Sequence, residues 1–358
     1  MNRFFVAAGL VLASSCSSEV ETSGFVSLGG KCMGTSWSAV VEVPRGTSGK
    51  GLGGLIQGRL DAVDLAMSTW KEGSDLSRFN RAGAGDEVAV GQLTLDVMAL
   101  CGPLVEVTGG AFDPTVRPLV EVWGFGSYDD VEDPSPEEIQ AALGLVGWGG
   151  VEVRDGALVK ARDGIEVDLS AVAKGYAVDL AAAALVQAGA SHFLLECGGE
   201  MVLRGKNTSG EMWRVGIDDP LLPEGADPLS PMNFAPRPPF ARLSLTGSAV
   251  ATSGDYRNVR KVEGRIVAHA IDPRTGQPID HDLASVTVVA DSCARADALA
   301  TAALVLGPDR ALALLESEAG VEGYLLTRVR EGEKTTLAVT MTPGMEALVM
   351  PPIPGQGK

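Results

Sequence analysis

Alternating apolar and polar positions predict a strand over residues 36–43, and helical spacing takes over across 52–67. Helical spacing returns over 93–107, with Leu95, Met98, Ala99 and Val105 as its apolar positions, and a short helix is expected over 134–145. Between the first two helices, SDLSRFN at 74–80 reads as a polar turn. Residues 151–159 read as a hairpin, and 193–195, 212–217 and 243–252 as strands. A strand over 266–271 carries His269. The β-branched run 286–290 reads as a buried strand feeding a helix over 294–306, which Gly307-Pro308 closes. Strand-like pieces follow at 323–328 and 335–340, ahead of a flexible Pro/Gly tail at 351–358.

The chain is organised around VDLSAVAKGYAVDLAAAALVQAG, residues 167–189. Its first residues finish the β-prone run GIEVDL; a small-residue turn at 170–173 and Lys174-Gly175 lead into an alanine-rich helix. Tyr176, Leu180, Ala183 and Ala184 fall on one helical face, with Ser170 expected as N-cap and Gly189 just past the C-terminus. Strand, turn and helix in that order aim free backbone N–H groups and a partial positive charge at an anion. The same corner also occurs without a ligand.

Composition narrows the classes. The 358 residues carry a net charge of −17 with no Lys/Arg run, which argues against nucleic acid as a partner. Seven of the twenty prolines crowd into 218–242, an irregular excursion between strands. The opening MNRFFVAAGLVLASSC places Arg3, an apolar run and small residues ahead of Cys16, the pattern of a secretory signal over 1–15. Cys16 is similar to a lipoprotein processing site, although Leu12 and Ala13 depart from its usual order; simple cleavage is the alternative. Residues 16–30 are then expected as a tether. Cys32, Cys101, Cys197 and Cys293 form no C-x-x-C pair, so zinc and thioredoxin-like chemistry are disfavoured, while one or two disulfides are compatible with export.

Candidate chemistry is sparse but placed. Asp297 and Thr301 lie four apart and share a helix face, oxygen donors that suit a hard cation if the turn at Ala173 adds a carbonyl. Read alone, the same pair is an Asp favoured by the helix dipole and a Thr bonded to its own turn. Of three histidines, His269 precedes the Asp272-Pro273 turn, where it could take a proton from a hydroxyl or simply pack. Trp70 is a stacking platform or core. Gly109-Gly110 allows close backbone approach, and Asp113-Pro114 makes a rigid turn.

In order, the chain carries MGTSW, STWKEGSDLSRFN, TGGAFDPTVRPLVEVWGFG, VDLSAVAKGYAVD, ECGGE, TSGDYRN, HAIDPRTGQPI and SVTVVADSCARADALATA. This series resembles the ApbE family of exported FAD:protein FMN transferases across residues 32–306. The resemblance implies an α+β fold, with mixed, largely antiparallel sheets and flanking helices, in one two-lobed catalytic domain at 31–350. It implies FAD contacts at Met33, Trp70, Ala111, Phe112, Asp113, Ser170, Lys174, Tyr176 and Ile271. Mg2+ ligands are implied at Ala173, Asp297 and Thr301, and a catalytic base at His269. Trp70 stands where many members have Tyr, and Ala270 where Ile is frequent. The implied reaction is Mg2+-dependent transfer of FMN from FAD to a Thr or Ser hydroxyl of an acceptor protein, with AMP released. The implied acceptor is a redox-pump subunit or FMN-binding domain, met at the periplasmic face of the membrane by an enzyme anchored through a lipid on Cys16. The rival readings are an FAD pyrophosphatase using the same site and a non-catalytic flavin-binding lipoprotein.

Overall fold

The computed structural model describes residues 24–126, 132–223, 226–227, 229–230, 238–332 and 334–352. The signal segment, Cys16 and tail residues 353–358 lie outside the described residues. The chain enters through a hairpin of β1 (Phe25–Cys32) and β2 (Thr35–Glu42), turned at Met33-Gly34, both with positive φ. Residues 25–30 of the tether expected at 16–30 are therefore strand, and 16–23 lie outside the described residues. Phe25 and Leu28 pack against opposite cores, apolar anchors that the surrounding Gly and Ser residues mask in the composition.

Helices α1 (Gly49–Met67) and α2 (Asp75–Arg81) follow, and the second corrects the polar turn expected at 74–80. Ser74 caps α2 by accepting from the Ser77 N–H at 2.9 Å. Next come β3 (Val88–Ala89), α3 (Gln92–Val107), α4 (Arg117–Val122), α5 (Pro136–Leu143), β4 (Val151–Arg154) and β5 (Ala157–Lys160). The strand expected from GIEVDL is absent. Ile165, Val167 and Leu169 are buried in extended chain, and Asn80 takes the place of a partner strand. Its side chain accepts from the Val167 N–H at 2.8 Å and donates to the Val167 carbonyl at 2.9 Å.

Helix α6 (Ala173–Gln187) begins after Val172, so exposed Ser170 is not its N-cap; the Ser170 N–H donates instead to Asp168. Lys174-Gly175 belongs to the first helical turn rather than to the preceding corner. The expected single face is also corrected: α6 is buried nearly all round, with Ala183 exposed, because helices pack on two sides of it. Gly189, at φ +91°, follows the C-cap as expected.

Strands β6 (Phe193–Cys197) and β7 (Glu200–Arg204) form a hairpin, followed by β8 (Trp213–Ile217), β9 (Ala241–Leu245) and β10 (Ser248–Gly254). The single strand expected at 243–252 is thus two, separated at Gly247 with φ +67°. Strands β11 (Val259–Val262) and β12 (Arg265–Ala268) pair, and β12 ends before His269, which stands just beyond the strand expected to carry it. The remainder is β13 (Leu283–Ala290), α7 (Cys293–Leu306), α8 (Pro308–Ser317), β14 (Glu322–Glu331) and β15 (Lys334–Met341).

An antiparallel sheet ordered β1-β2-β6-β7-β10-β13-β14-β15 forms the frame. Helices α1, α6 and α7 cover one face, and the β8–β9 ribbon packs Trp213, Val215 and Leu243 on the other. With both faces covered, β13 is buried along its whole length, as its β-branched run requires.

Helices α6 and α7 meet backbone to backbone at Gly175. A Cβ there would collide with the Cys293 carbonyl and lie 2.8 Å from Ala294 Cα. Asp179, one turn on, accepts from the N–H groups of Cys293 at 2.9 Å and Ala294 at 3.0 Å, capping α7 from its neighbour. Because the colliding atoms are backbone, Gly175→Ala must spread the two helices. The expected loss is about 1–3 kcal/mol, read as a lower denaturant midpoint at unchanged slope. An unchanged midpoint would show that the helices are not in contact there.

Candidate active site

The first turn of α6, the middle of α7 and the β6–β7 hairpin converge on one charged corner. Lys174 Nζ lies 3.0 Å from Glu200 Oε1 and 3.6 Å from Asp297 Oδ2. The Gly175 N–H donates to Asp297 Oδ2 at 3.1 Å, tying α7 to the turn that begins at Ala173. Thr301, one turn further along α7, shares a hydrogen bond of 3.2 Å with Ser253 of β10.

Both carboxylates are buried, and one ammonium faces two of them. Burial opposes charge on Lys174, but Asp297 and then Glu200 outweigh it and raise its pKa. Burial, aided by the charge of Asp297, pushes Glu200 up to about 7 although Lys174 pulls it down. Burial likewise raises Asp297 against the pull of Lys174. Glu200 Oε2 is buried with no hydrogen-bond partner. The corner thus sets two buried carboxylates against one ammonium and keeps a spare oxygen.

His269 stands at the rim, open to solvent but with protein packed around it. Its Nδ1 is 3.2 Å from the Asn258 carbonyl, which only accepts, so Nδ1 carries the proton and Nε2 keeps its lone pair. Burial lowers the His269 pKa below 6.5, and the Lys174 charge lowers it further; the Asn258 bond opposes them. Phe125 meets the ring edge-on, 6.4 Å between centroids.

The remaining residues arrive through a chain of pairings between the sequence runs. A Cβ on Gly198 would lie 3.0 Å from Thr35 Cγ2, which seats ECGGE against the turn holding Met33. The Asp168 N–H donates to the Pro114 carbonyl at 2.7 Å, joining VDLS to the AFDP turn. The Trp123 indole donates to the Gly276 carbonyl at 2.8 Å, and Arg274 packs beside Gly110, so the run 108–126 embraces the turn after Ile271. Asn80 ties SDLSRFN to VDLS. Within this set, Ala111, Phe112 and Ile271 are buried, and Tyr176 donates to Asp96 at 3.0 Å. The Asp113 carboxylate is occupied by Thr115 and by the Trp148 N–H, so it holds its loop rather than facing outward. Trp70 is 59% exposed on the α1–α2 connection. Ser170 is exposed, and its carbonyl faces Lys174 at 3.4 Å.

A model of the ApbE family matches residues 33–325 of this sequence. The chain belongs to the ApbE family. A relative from Klebsiella pneumoniae named FAD:protein FMN transferase is 37% identical over 94% of this chain and 95% of its own. One of the same name from Escherichia coli K12 is 36% identical over 87% of this chain and 86% of its own. The flavin transferase ApbE of Vibrio cholerae superposes with a TM-score of 0.78 at 32% identity, over 90% of this chain and 99% of that one. An ApbE protein from Thermotoga maritima gives the same TM-score at 28% identity. Family membership covers the span in which all the paired runs fall. Glu200, Asp179 and Asn80 carry the corner, the α7 cap and the central turn; each lies inside one of the sequence runs, yet no local pattern gives it that task. Each works through partners 26 to 115 positions away along the chain.

Proposed function

We infer that this chain is a flavin transferase that moves the FMN part of FAD onto a protein. The observation that carries the reading is the Lys174–Glu200–Asp297 corner at the opening of α6, with His269 at its rim, in a chain of the ApbE family.

The finer reading adds a divalent metal, Mg2+. Asp297 would hold it through its carboxylate, Thr301 through its hydroxyl and Ala173 through its carbonyl. These are hard oxygen donors, and the buried carboxylate oxygen of Glu200 with no hydrogen-bond partner fits a nearby hard cation. Among the described residues no three or more His, Cys, Asp or Glu gather as a metal site, so the hydroxyl and carbonyl are needed to complete the set. A bound Mg2+ neutralises charge that develops on the transferring phosphoryl group and on departing AMP.

The protein's own groups do the rest. The opening of α6 turns its positive dipole end toward the FAD pyrophosphate, and Lys174 adds a full charge. Trp70 stacks on the flat flavin ring. His269 Nε2 takes the proton of a Thr or Ser hydroxyl on the acceptor, and the freed oxygen attacks the FMN-side phosphorus. The pyrophosphate bond breaks and AMP leaves. The sequence before residue 24 supports export and a lipid on Cys16, which would place this chemistry at the periplasmic face of the membrane.

The deciding measurement is mass spectrometry of a flavinylation-type acceptor domain incubated with the protein, FAD and Mg2+, with and without EDTA. The acceptor should gain one FMN phosphoester, and EDTA should prevent it. Free FMN and AMP with an unlabelled acceptor would instead establish a pyrophosphatase. Trp70→Ala should raise the KM for FAD about tenfold with kcat little changed, since aromatic stacking on a flat base is worth about 1–3 kcal/mol. An unaltered KM would remove the ring from the binding site.

A further inference from the structure

Cys32 ends β1, Cys197 ends β6, and β2 runs between these strands. Their sulfurs nevertheless face each other 3.1 Å apart, with Cys197 fully buried and Cys32 nearly so. A disulfide needs about 2 Å, so an approach of about 1 Å closes the pair. The bond between them lowers the Cys32 pKa against burial, and the same bond, with burial, pushes Cys197 up. Cys32, the less completely buried of the two, is the one a small disulfide reaches first.

The location gives the pair a consequence. Met33 follows Cys32, and Gly198 follows Cys197. A Cβ on Gly198 would lie 3.0 Å from Thr35 and 3.6 Å from the Lys174 stem. The thiols therefore lie where the Met33-Gly34 turn meets the Gly198-Gly199 turn, beside the charged corner. We propose that Cys32 and Cys197 form a disulfide that clamps these two turns together.

The oxidant is a small disulfide such as oxidised glutathione. The Cys32 thiolate attacks one of its sulfurs, the S–S bond breaks, and one glutathione leaves and takes up a proton. Cys197 attacks the Cys32 sulfur of the mixed disulfide and expels the second glutathione, whose thiolate takes the Cys197 proton as it leaves. Two protein thiols are oxidised, and one external disulfide is reduced to two thiols. Bridging residues 165 apart in sequence removes conformational freedom from the unfolded chain, so the oxidised form is the more stable. That the clamp also pre-forms the Met33 turn for FAD rests on the flavin reading above.

The test is peptide mapping of the full chain after incubation with oxidised glutathione and alkylation of the remaining thiols under denaturing conditions. The expected product is one peptide joining Cys32 to Cys197, together with a rise in the unfolding midpoint that dithiothreitol reverses. Cys32→Ser and Cys197→Ser, near-isosteric changes, should each abolish both signals. Alkylation of both cysteines in the oxidised sample, or a separate glutathione on each, would overturn the proposal; so would a midpoint that falls on oxidation. Titration of flavin fluorescence should show the oxidised form binding FAD about threefold tighter, because pre-ordering reduces the cost of binding. Equal affinity in the two forms would overturn the clamp. Failure of both forms to bind FAD would overturn the flavin reading, while the joined peptide still decides the disulfide.

Discussion

Asp297→Ala should lower flavin transfer about a thousandfold and abolish its dependence on Mg2+, the scale expected when several kcal/mol of transition-state charge stabilisation are lost. Asp297 is the residue through which α7 touches the opening of α6, accepting from the Gly175 N–H and facing Lys174. Its removal leaves Lys174 with Glu200 alone and takes away a carboxylate ligand for a cation. The fold should survive. Burial raises the Asp297 pKa, so at neutral pH its ionised form costs the folded state stability rather than adding to it. What Asp297→Ala loses structurally is the Gly175 hydrogen bond, about 1 kcal/mol, and the longer ion pair to Lys174, which keeps Glu200. Asp297→Asn separates charge from shape, since it keeps an acceptor for Gly175 without the charge and should be nearly as inactive. Transfer rates measured against Mg2+ concentration, with circular dichroism and unfolding midpoints alongside, check this. Full activity in either variant would remove Asp297 from the metal site.

Residues whose partners lie nearby in sequence were legible before the structure. The i, i+4 spacing of Asp297 and Thr301 placed both on one face of α7, and Gly189 ended α6 where its φ requires glycine. The β-branched run of β13 announced a strand with both faces covered. Local signals misled wherever a distant group took over the local task. Ser170 has the chemistry of an N-cap, but the chain before α6 is held by Asn80 and by Pro114, so the helix begins at Ala173 without it. GIEVDL has the composition of a strand, yet Asn80 supplies the hydrogen bonds that a neighbouring strand would give. Glu200 reads as the end of a glycine turn until Lys174 arrives from another element. Motif order named the segments that the fold brings together. Which atom of which residue does what depended on the sheet order that folds those segments together.

The second large effect belongs to His269. His269→Ala should reduce kcat by about 10²–10⁴, the usual worth of a positioned general base, while FAD affinity changes by less than about twofold. The reasoning starts from its tautomer: Asn258 fixes the proton on Nδ1, which leaves Nε2 as the atom able to accept one. Burial and the Lys174 charge together hold the pKa below 6.5, so the ring is already neutral at pH 7. A base works only when deprotonated, so His269 should give kcat/KM an acid limb lying below pH 6.5, separate from any limb of Glu200 near 7. The alanine variant should lose that acid limb along with its rate. His269→Gln should not recover the rate, because an amide fills the space and bonds to Asn258 but accepts no proton at these pH values. Parallel losses in rate and FAD affinity would make His269 a binding residue. An acid limb that persists in the alanine variant would assign the base to another group. The pH profile separates these outcomes because it follows the proton on Nε2, whereas a purely structural change would shift the rate without moving the limb.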